Sequence, residues 1–367
     1  IASPTWRALD QPVLAKGYVP HALLLRLKIN NTGLAKRRIL EVSRANTSRI
    51  EVISRAASGQ WLTRRAGANE LVPRGDINGL GYSFAIDIPE GNSEIFIRLS
   101  SAYPLATPIR LSSENALFKA MQNSAGLYGA GLGLLGGMLL GIIGLRSARL
   151  AIPVRWLFSS LIMLVILRAL ADRGVLGYWW LDIPGSLHGL IQISGSLLSI
   201  AHLMLCRQFV AQHQALPTAS KRLLGLTVVL NLVWMLTTTS HAGAFPLYWA
   251  DWLRLFSISV ILILLWQPAR QDIYGAKLYF AVMLAALIGQ LYNDAALKGW
   301  VTFIAEPYQI IILWHLLAAP FLLHALERPV AFHPRERRHT PLPEKIRSKA
   351  LNKSQPKPQG LPPLRVL

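Results

Sequence analysis

The sequence predicts a membrane α-helical bundle of seven transmembrane helices preceded by an all-β domain of β-sandwich, jelly-roll-like type. Three observations predict it. The 367-residue chain is 52% hydrophobic, has a mean hydropathy of +0.37 and carries only 15% charged residues, well below the roughly 25% of soluble domains. Its apolar residues gather between Ala125 and Leu326 in blocks of about 20, the length a hydrocarbon core of roughly 30 Å requires. Residues 1–118 hold no such block and instead alternate apolar with polar residues between turn formers.

In the N-terminal segment the alternation is clearest at Ala22–Ile29, where Leu23, Leu25, Leu27 and Ile29 interleave with Leu24, Arg26 and Lys28. A period of two buries one face of a sheet. Ile50–Ile53, Tyr82–Ile88 and Ile95–Leu99 follow the same rule. Asn30-Asn31-Thr32-Gly33, Ser58-Gly59, Pro73-Arg74-Gly75-Asp76 and Pro89-Glu90-Gly91-Asn92 separate the strands as turns, because these residues favour turn conformations. The single cysteine, Cys206, falls in an apolar block, so a sandwich over residues 1–118 must rest on its own core without a disulfide. The chain begins at Ile1 rather than Met, as expected of a mature form freed of a signal peptide or of a shortened chain.

Seven spans follow, at about Ala125–Leu145, Val154–Arg173, Leu187–Cys206, Leu223–Thr239, Leu247–Trp266, Tyr274–Leu291 and Pro307–Leu326. The first contains Gly129, Gly133, Gly137 and Gly141, four apart and so on one helical stripe. A stripe of this kind admits a second helix at short range, either within the bundle or in a homodimer. Residues 327–367, with Pro341, Pro343, Pro356, Pro358, Pro362 and Pro363, form a basic tail that is expected to be disordered. The domains are thus expected at 1–118, 119–326 and 327–367.

Charge placement sets the orientation. Arg146, Arg149, Arg155, Arg207, Lys221, Arg222, Arg270 and Lys277 lie in the first, third and fifth loops, on the side of the basic tail. The other loops hold only Arg173 and Lys298, together with Tyr178, Trp179, Trp180, Tyr248, Trp249, Trp252 and Trp300. Positive loops stay in the cytoplasm and amphipathic rings favour the interface. The expected topology is therefore that of a bacterial inner-membrane protein with a periplasmic N-terminal domain and a cytoplasmic C-terminus. The net charge of +20 is shared by all three segments, so it follows from membrane topology and no nucleic-acid partner is expected.

Ionisable groups at membrane depth are costly and point to function. Asp172, Asp182, His188, His241, Asp251, Asp294 and Glu306 fall near the outer ends of spans, where they would line an outward vestibule or serve as ordinary wet loop residues. Arg168 and Arg254 could pair with these carboxylates, and His315 lies near the middle of the last span. In the β domain, Trp61, Tyr82 and Tyr103 with Arg64, Arg65 and Arg74 could offer rings and guanidinium forks to a sugar or an acidic polymer. The alternative is core aromatics and solvated arginines.

The strand Leu23–Asn31, the Ile50–Trp61 strand and turn, the Pro73-Arg74 step, Ile95-Phe96-Ile97-Arg98-Leu99 and Pro108-Ile109-Arg110-Leu111, followed by seven spans, resemble the bacterial seven-transmembrane receptors with diverse intracellular signalling modules. The resemblance covers about residues 5–326. It implies an outer jelly roll similar to carbohydrate-binding modules and helices that relay a signal inward. The short stretch after Leu326 does not hold that family's catalytic output module, so either a separate partner carries the output, which is the expectation, or the sequence leaves that module out. The expected function is a non-enzymatic receptor, with no catalytic residue, metal or cofactor, that signals to a separate cytoplasmic partner. An accessory subunit of an envelope complex is the alternative. A metal-dependent intramembrane hydrolase is disfavoured because no span shows histidines at i and i+4, and the histidines fall at different estimated depths.

Overall fold

The computed structural model describes residues 6–9, 13–43, 47–56, 58–70, 75–77, 81–144, 150–176, 186–240, 248–302 and 310–327. Among these residues eight strands come first: β1 (Val13–Gly17), β2 (Leu23–Asn31), β3 (Lys36–Val42), β4 (Arg49–Arg55), β5 (Trp61–Ala66), β6 (Tyr82–Ile88), β7 (Gly91–Ser100) and β8 (Leu105–Ser112). They build two antiparallel sheets, ordered β1-β8-β3-β6 and β2-β7-β4-β5. The first and last strands pair, and no two consecutive strands share a sheet except β4 and β5.

Alternation fixes what fills the space between the sheets. Leu40, Val42, Ile50, Val52, Phe84, Ile86, Ile95 and Ile97 are almost wholly enclosed there. Leu23, Leu25, Leu27 and Ile29 of β2 pack against them, while Leu24 on the opposite face stays half exposed. The Asn31 turn closes through its side chain, which accepts the Gly33 N–H at 3.3 Å and donates to the Leu34 carbonyl at 3.0 Å. Strands β1, β3, β5 and β8 lie outside the clearest alternating stretches. At β3 the run Lys36-Arg37-Arg38 hides the pattern, because those residues lie at the solvated start of the strand.

Among the described residues seven helices follow: α1 (Glu114–Gly144), α2 (Ile152–Asp172), α3 (Ser186–His213), α4 (Thr218–Ser240), α5 (Tyr248–Arg270), α6 (Ala276–Leu297) and α7 (Ile310–Leu326). The first six are long and apolar enough to cross a membrane; α7, with 17 residues, is shorter. At 1.5 Å per residue α7 spans about 26 Å, less than the roughly 30 Å core. The Pro307–Gln309 part of the seventh expected span lies outside the described residues.

Helix α1 starts at Glu114, inside the stretch expected to be β domain, because Ser113 caps it directly after β8. The Ser113 hydroxyl accepts the Ala116 N–H at 3.3 Å, the usual N-cap contact. Leu117 and Met121 of its first turns pack on Ile39 and Ala85, on the outer face of the first sheet. With 31 residues, α1 is about 46 Å long, so its first turns stand clear of the apolar block.

The bundle core contains Phe158, Val165, Phe209, Ile261, Leu265 and Tyr279. A polar link crosses it where Asn231 of α4 donates to the Ser257 hydroxyl of α5 at 3.1 Å. Gly275, with φ +76°, leads into α6 where a Cβ would overlap the Ala325 carbonyl of α7. Of the two packings expected for the glycine stripe, the one within the bundle is not used. Gly129, Gly133, Gly137 and Gly141 meet no other helix, since a Cβ at any of them would find open space. Helix α1 turns Tyr128, Gly131, Leu135 and Ile142 inward instead, and a Cβ on Gly131 would come within 2.8 Å of Ile312 on α7.

Two outcomes follow for stability. Gly131→Leu is expected to destabilise the bundle by about 1–3 kcal/mol through overpacking, while Gly133→Leu leaves it unchanged; thermal unfolding of both in lipid checks this, and equal effects contradict the packing. Phe84→Ala is expected to cost the sandwich about 3–5 kcal/mol, read as a lower denaturation midpoint of the β-sheet signal.

Candidate functional site

Two regions bring functional groups together: one face of the β domain, and its junction with the helices. On the sheet β2-β7-β4-β5, register places Arg26 opposite Phe96, Phe96 opposite Ile53, and Ile53 opposite Thr63. This row lies on the solvent side, because the neighbouring positions fill the core. Trp6 and Trp61 flank Phe96, with ring centroids 6.4 Å and 5.9 Å away. The Arg26 guanidinium lies 4.5 Å over Trp6, and that of Arg55 4.9 Å over Trp61. Both tryptophans remain exposed, at 39% and 48%.

The next row is ionic. Glu51, 8% exposed, sits between its cross-strand neighbours Arg65 and Arg98, each 3.3 Å away. With Arg49 at 3.8 Å as well, one carboxylate serves three guanidinium groups beside an aromatic strip. Such a surface can stack on a sugar ring or bind an acidic group.

Of the residues singled out from the sequence for this domain, Trp61 and Arg65 lie on this face. Arg64 points the other way from β5 and pairs with Asp76 at 3.3 Å, tying the edge strand β5 to the segment just before β6. Tyr82 is 5% exposed and belongs to the sandwich core. Tyr103 is buried against the helices, and Arg74 lies outside the described residues. Trp6, Arg26, Arg55 and Phe96 went unmarked, because Trp6 precedes any periodic segment and the others read as ordinary strand positions.

At the junction, two tyrosines on β-domain loops reach into the bundle. Tyr18, just after β1, donates its hydroxyl to Asp251 Oδ2 of α5 at 2.8 Å and stacks edge-on with Tyr248. Burial, and then the charge and hydrogen bond of Asp251, push its phenol well above the usual tyrosine range. Tyr103, between β7 and β8, donates to the His188 carbonyl of α3 at 3.1 Å, accepts from Gln192 Nε2 at 3.1 Å, and lies 4.9 Å from the His188 ring. Gln192 in turn accepts the Trp234 indole N–H of α4 at 3.4 Å.

The polar chain continues among the helices. Arg254 lies 3.7 Å from Asp251 and donates to Gln290 at 3.4 Å, and Gln290 donates to Asp294 at 2.8 Å. Arg168 pairs with Asp172 at 2.8 Å and also donates to the Ile191 carbonyl. Gly195 makes room for that guanidinium, since a Cβ there would lie 2.6 Å from Arg168 Nη1. Close approach also binds β1 to the end of α6: a Cβ on Gly299, φ +78°, would fall 2.6 Å from the Ala15 carbonyl oxygen.

The ionisable residues singled out near the outer helix ends take different places. Asp172 and Asp251 line a cavity at the β-domain end of the bundle, Asp294 stands behind Gln290, and His188 is covered by Tyr103. Asp182, His241 and Glu306 lie outside the described residues. Tyr18, Gln192 and Gln290 were missed, since uncharged polar residues carry a weaker signal than ionisable ones. The histidine depths need correction: His202 of α3 and His315 of α7 lie with ring centroids 5.7 Å apart. Span edges read from hydropathy are too loose to compare depths across helices of 28 and 17 residues. Among the described residues no three His, Cys, Asp or Glu side chains converge as metal ligands.

Residues 1–113 match the family model described as 7TMR-DISM extracellular 2. Neither a curated protein nor a solved structure matches the chain. The matched segment ends at Ser113, the residue that caps α1, and so takes in both sheets and stops where the helices begin. The N-terminal β domain is thus similar to the 7TMR-DISM extracellular domain and stands ahead of the apolar helices of a multi-pass membrane protein.

Proposed function

We propose that this chain is a non-enzymatic receptor that takes a ligand or partner on its β domain and passes the event through its helices to a separate cytoplasmic protein. On this reading α7 completes seven crossings, the β domain lies in the periplasm of a bacterial inner membrane, and the basic tail lies in the cytoplasm. The strand orders β1-β8-β3-β6 and β2-β7-β4-β5 suit an eight-stranded jelly roll, and the Trp6–Phe96–Trp61 strip suits a carbohydrate or acidic polymer.

The observation that carries the proposal is the pair of tyrosine contacts. A ligand shifts helices only through unequal affinity for two arrangements. Tyr18 and Tyr103 stand on different loops of the β domain and bond to α5 and α3 respectively, so a movement of the sandwich changes the partners of both helices together. The direct passage from β8 through Ser113 into α1 adds a third mechanical link.

Two measurements test this. The full chain, extracted in mild detergent, is expected to bring down a cytoplasmic protein that is lost on deletion from Pro329; undiminished recovery sinks the proposed role of the tail. Binding to polygalacturonate, with dextran as the neutral control, is expected to weaken about tenfold in Trp61→Ala, a loss typical of an aromatic anchor. Unchanged binding removes the sheet face from the site.

A further inference from the structure

The ionic row of the open sheet holds more guanidinium than its own carboxylates use. Glu51 stands on β4, between Arg65 on β5 and Arg98 on β7, its register partners across the two neighbouring strands. Arg49 lies two residues along β4, on the same face. Arg49 and Arg65 approach Glu51 through Nε, and Arg98 through Nη1. Arg49 Nε also donates to Glu70 at 2.7 Å. A guanidinium carries N–H donors on all its nitrogens, so each of these groups keeps two nitrogens that Glu51 and Glu70 do not engage. All three side chains are more than half exposed, while Glu51 beneath them is buried. The carboxylate thus fixes the arginines from below and leaves their outer edges to solvent.

The neighbouring row adds charge and a surface for a ring. Arg26 and Arg55 lie over the tryptophans, and among the described residues neither meets a carboxylate. Lys28 and Glu94 are opposite each other and add no net charge. The face is therefore in positive surplus, and its complement is an anion. A carboxylate offers two oxygens in one plane and a single charge, and Glu51 already fills that role. A phosphate monoester offers three acceptor oxygens and close to two negative charges at pH 7, so it can receive forks that converge from three sides. Phe96 follows Arg98 by two residues on the same face, roughly 7 Å away along the strand. A ring esterified to the phosphate reaches that far, and Trp61 lies beside Phe96.

We propose that Arg49, Arg65 and Arg98 form an oxyanion site for a soluble phosphate monoester whose carrier lies against Phe96 and Trp61. The inference rests on the reading of this sheet as the contact face of the receptor, and narrows its ligand from acidic groups in general to phosphate.

Three probes on one sugar test it by equilibrium dialysis against the full chain in phosphatidylcholine nanodiscs, corrected for uptake by empty discs. They are glucose 6-phosphate, glucuronate with a carboxylate at the same end, and glucose. Saturable binding of glucose 6-phosphate is expected, with weaker binding of glucuronate and none of glucose. Arg65→Lys and Arg98→Lys keep a positive charge beside Glu51 but lose the fork. Each is expected to raise the glucose 6-phosphate Kd about tenfold, the loss of a hydrogen bond to a charged group. Arg65 lies on an edge strand, so its variant carries the test if Arg98→Lys does not fold. Adding phosphatidic acid to the discs separates the sources of phosphate: undiminished binding is expected, and displacement of the sugar ester would assign the site to a lipid headgroup and overturn the soluble ligand. Absence of saturable glucose 6-phosphate uptake, equal binding of glucuronate, or an unchanged Kd in the folded variants also overturns the proposal. Polygalacturonate bound without glucose 6-phosphate overturns the phosphate assignment alone, whereas loss of both overturns the contact face itself.

Discussion

Lipid offers no hydrogen bonds, so each polar group near a membrane-facing helix end must find a partner within the protein. That constraint shapes the β-domain end of this bundle. There Tyr18 of the β domain donates to Asp251, which also faces Arg254, and Tyr103 bonds both the His188 carbonyl and Gln192, whose other partner is Trp234. The sandwich thus completes the polar network of the helices, and the two parts are coupled by chemistry that neither supplies alone.

The same arrangement divides the work of the two sheets. The sheet β1-β8-β3-β6 turns Ile39 and Ala85 toward α1, and β1 lies against the end of α6. The sheet β2-β7-β4-β5 leaves its outer row, from Trp6 and Arg26 to Trp61 and Arg55, open to solvent. A domain anchored by one face and open on the other suits a sensor, because contact on the free sheet bears on loops already tied to helices.

Much of the architecture is legible in the sequence, and the gaps have physical causes. The period of two in Leu23–Ile29 and the exact span of Tyr82–Ile88 reveal their strands, and the apolar blocks reveal the helices. Strand β3 hides behind Lys36-Arg37-Arg38. The glycine stripe meets no helix within the bundle, whereas Gly131, off the stripe, is where α7 approaches. At the site, the i,i+3 spacing of Asp251 and Arg254 foretells their pairing. Contacts between distant segments, such as Tyr18 with Asp251 or His202 with His315, have no local signature and emerge only when the chain is folded.

The coupling of the β domain to the helices is most directly measured by hydrogen exchange on the full chain in nanodiscs, comparing the parent with a Tyr18→Phe, Tyr103→Phe double variant. Faster exchange is predicted in the first turns of α3 and α5, with the sandwich strands unchanged. Identical exchange in those turns would mean that the two parts merely touch, and would contradict the account.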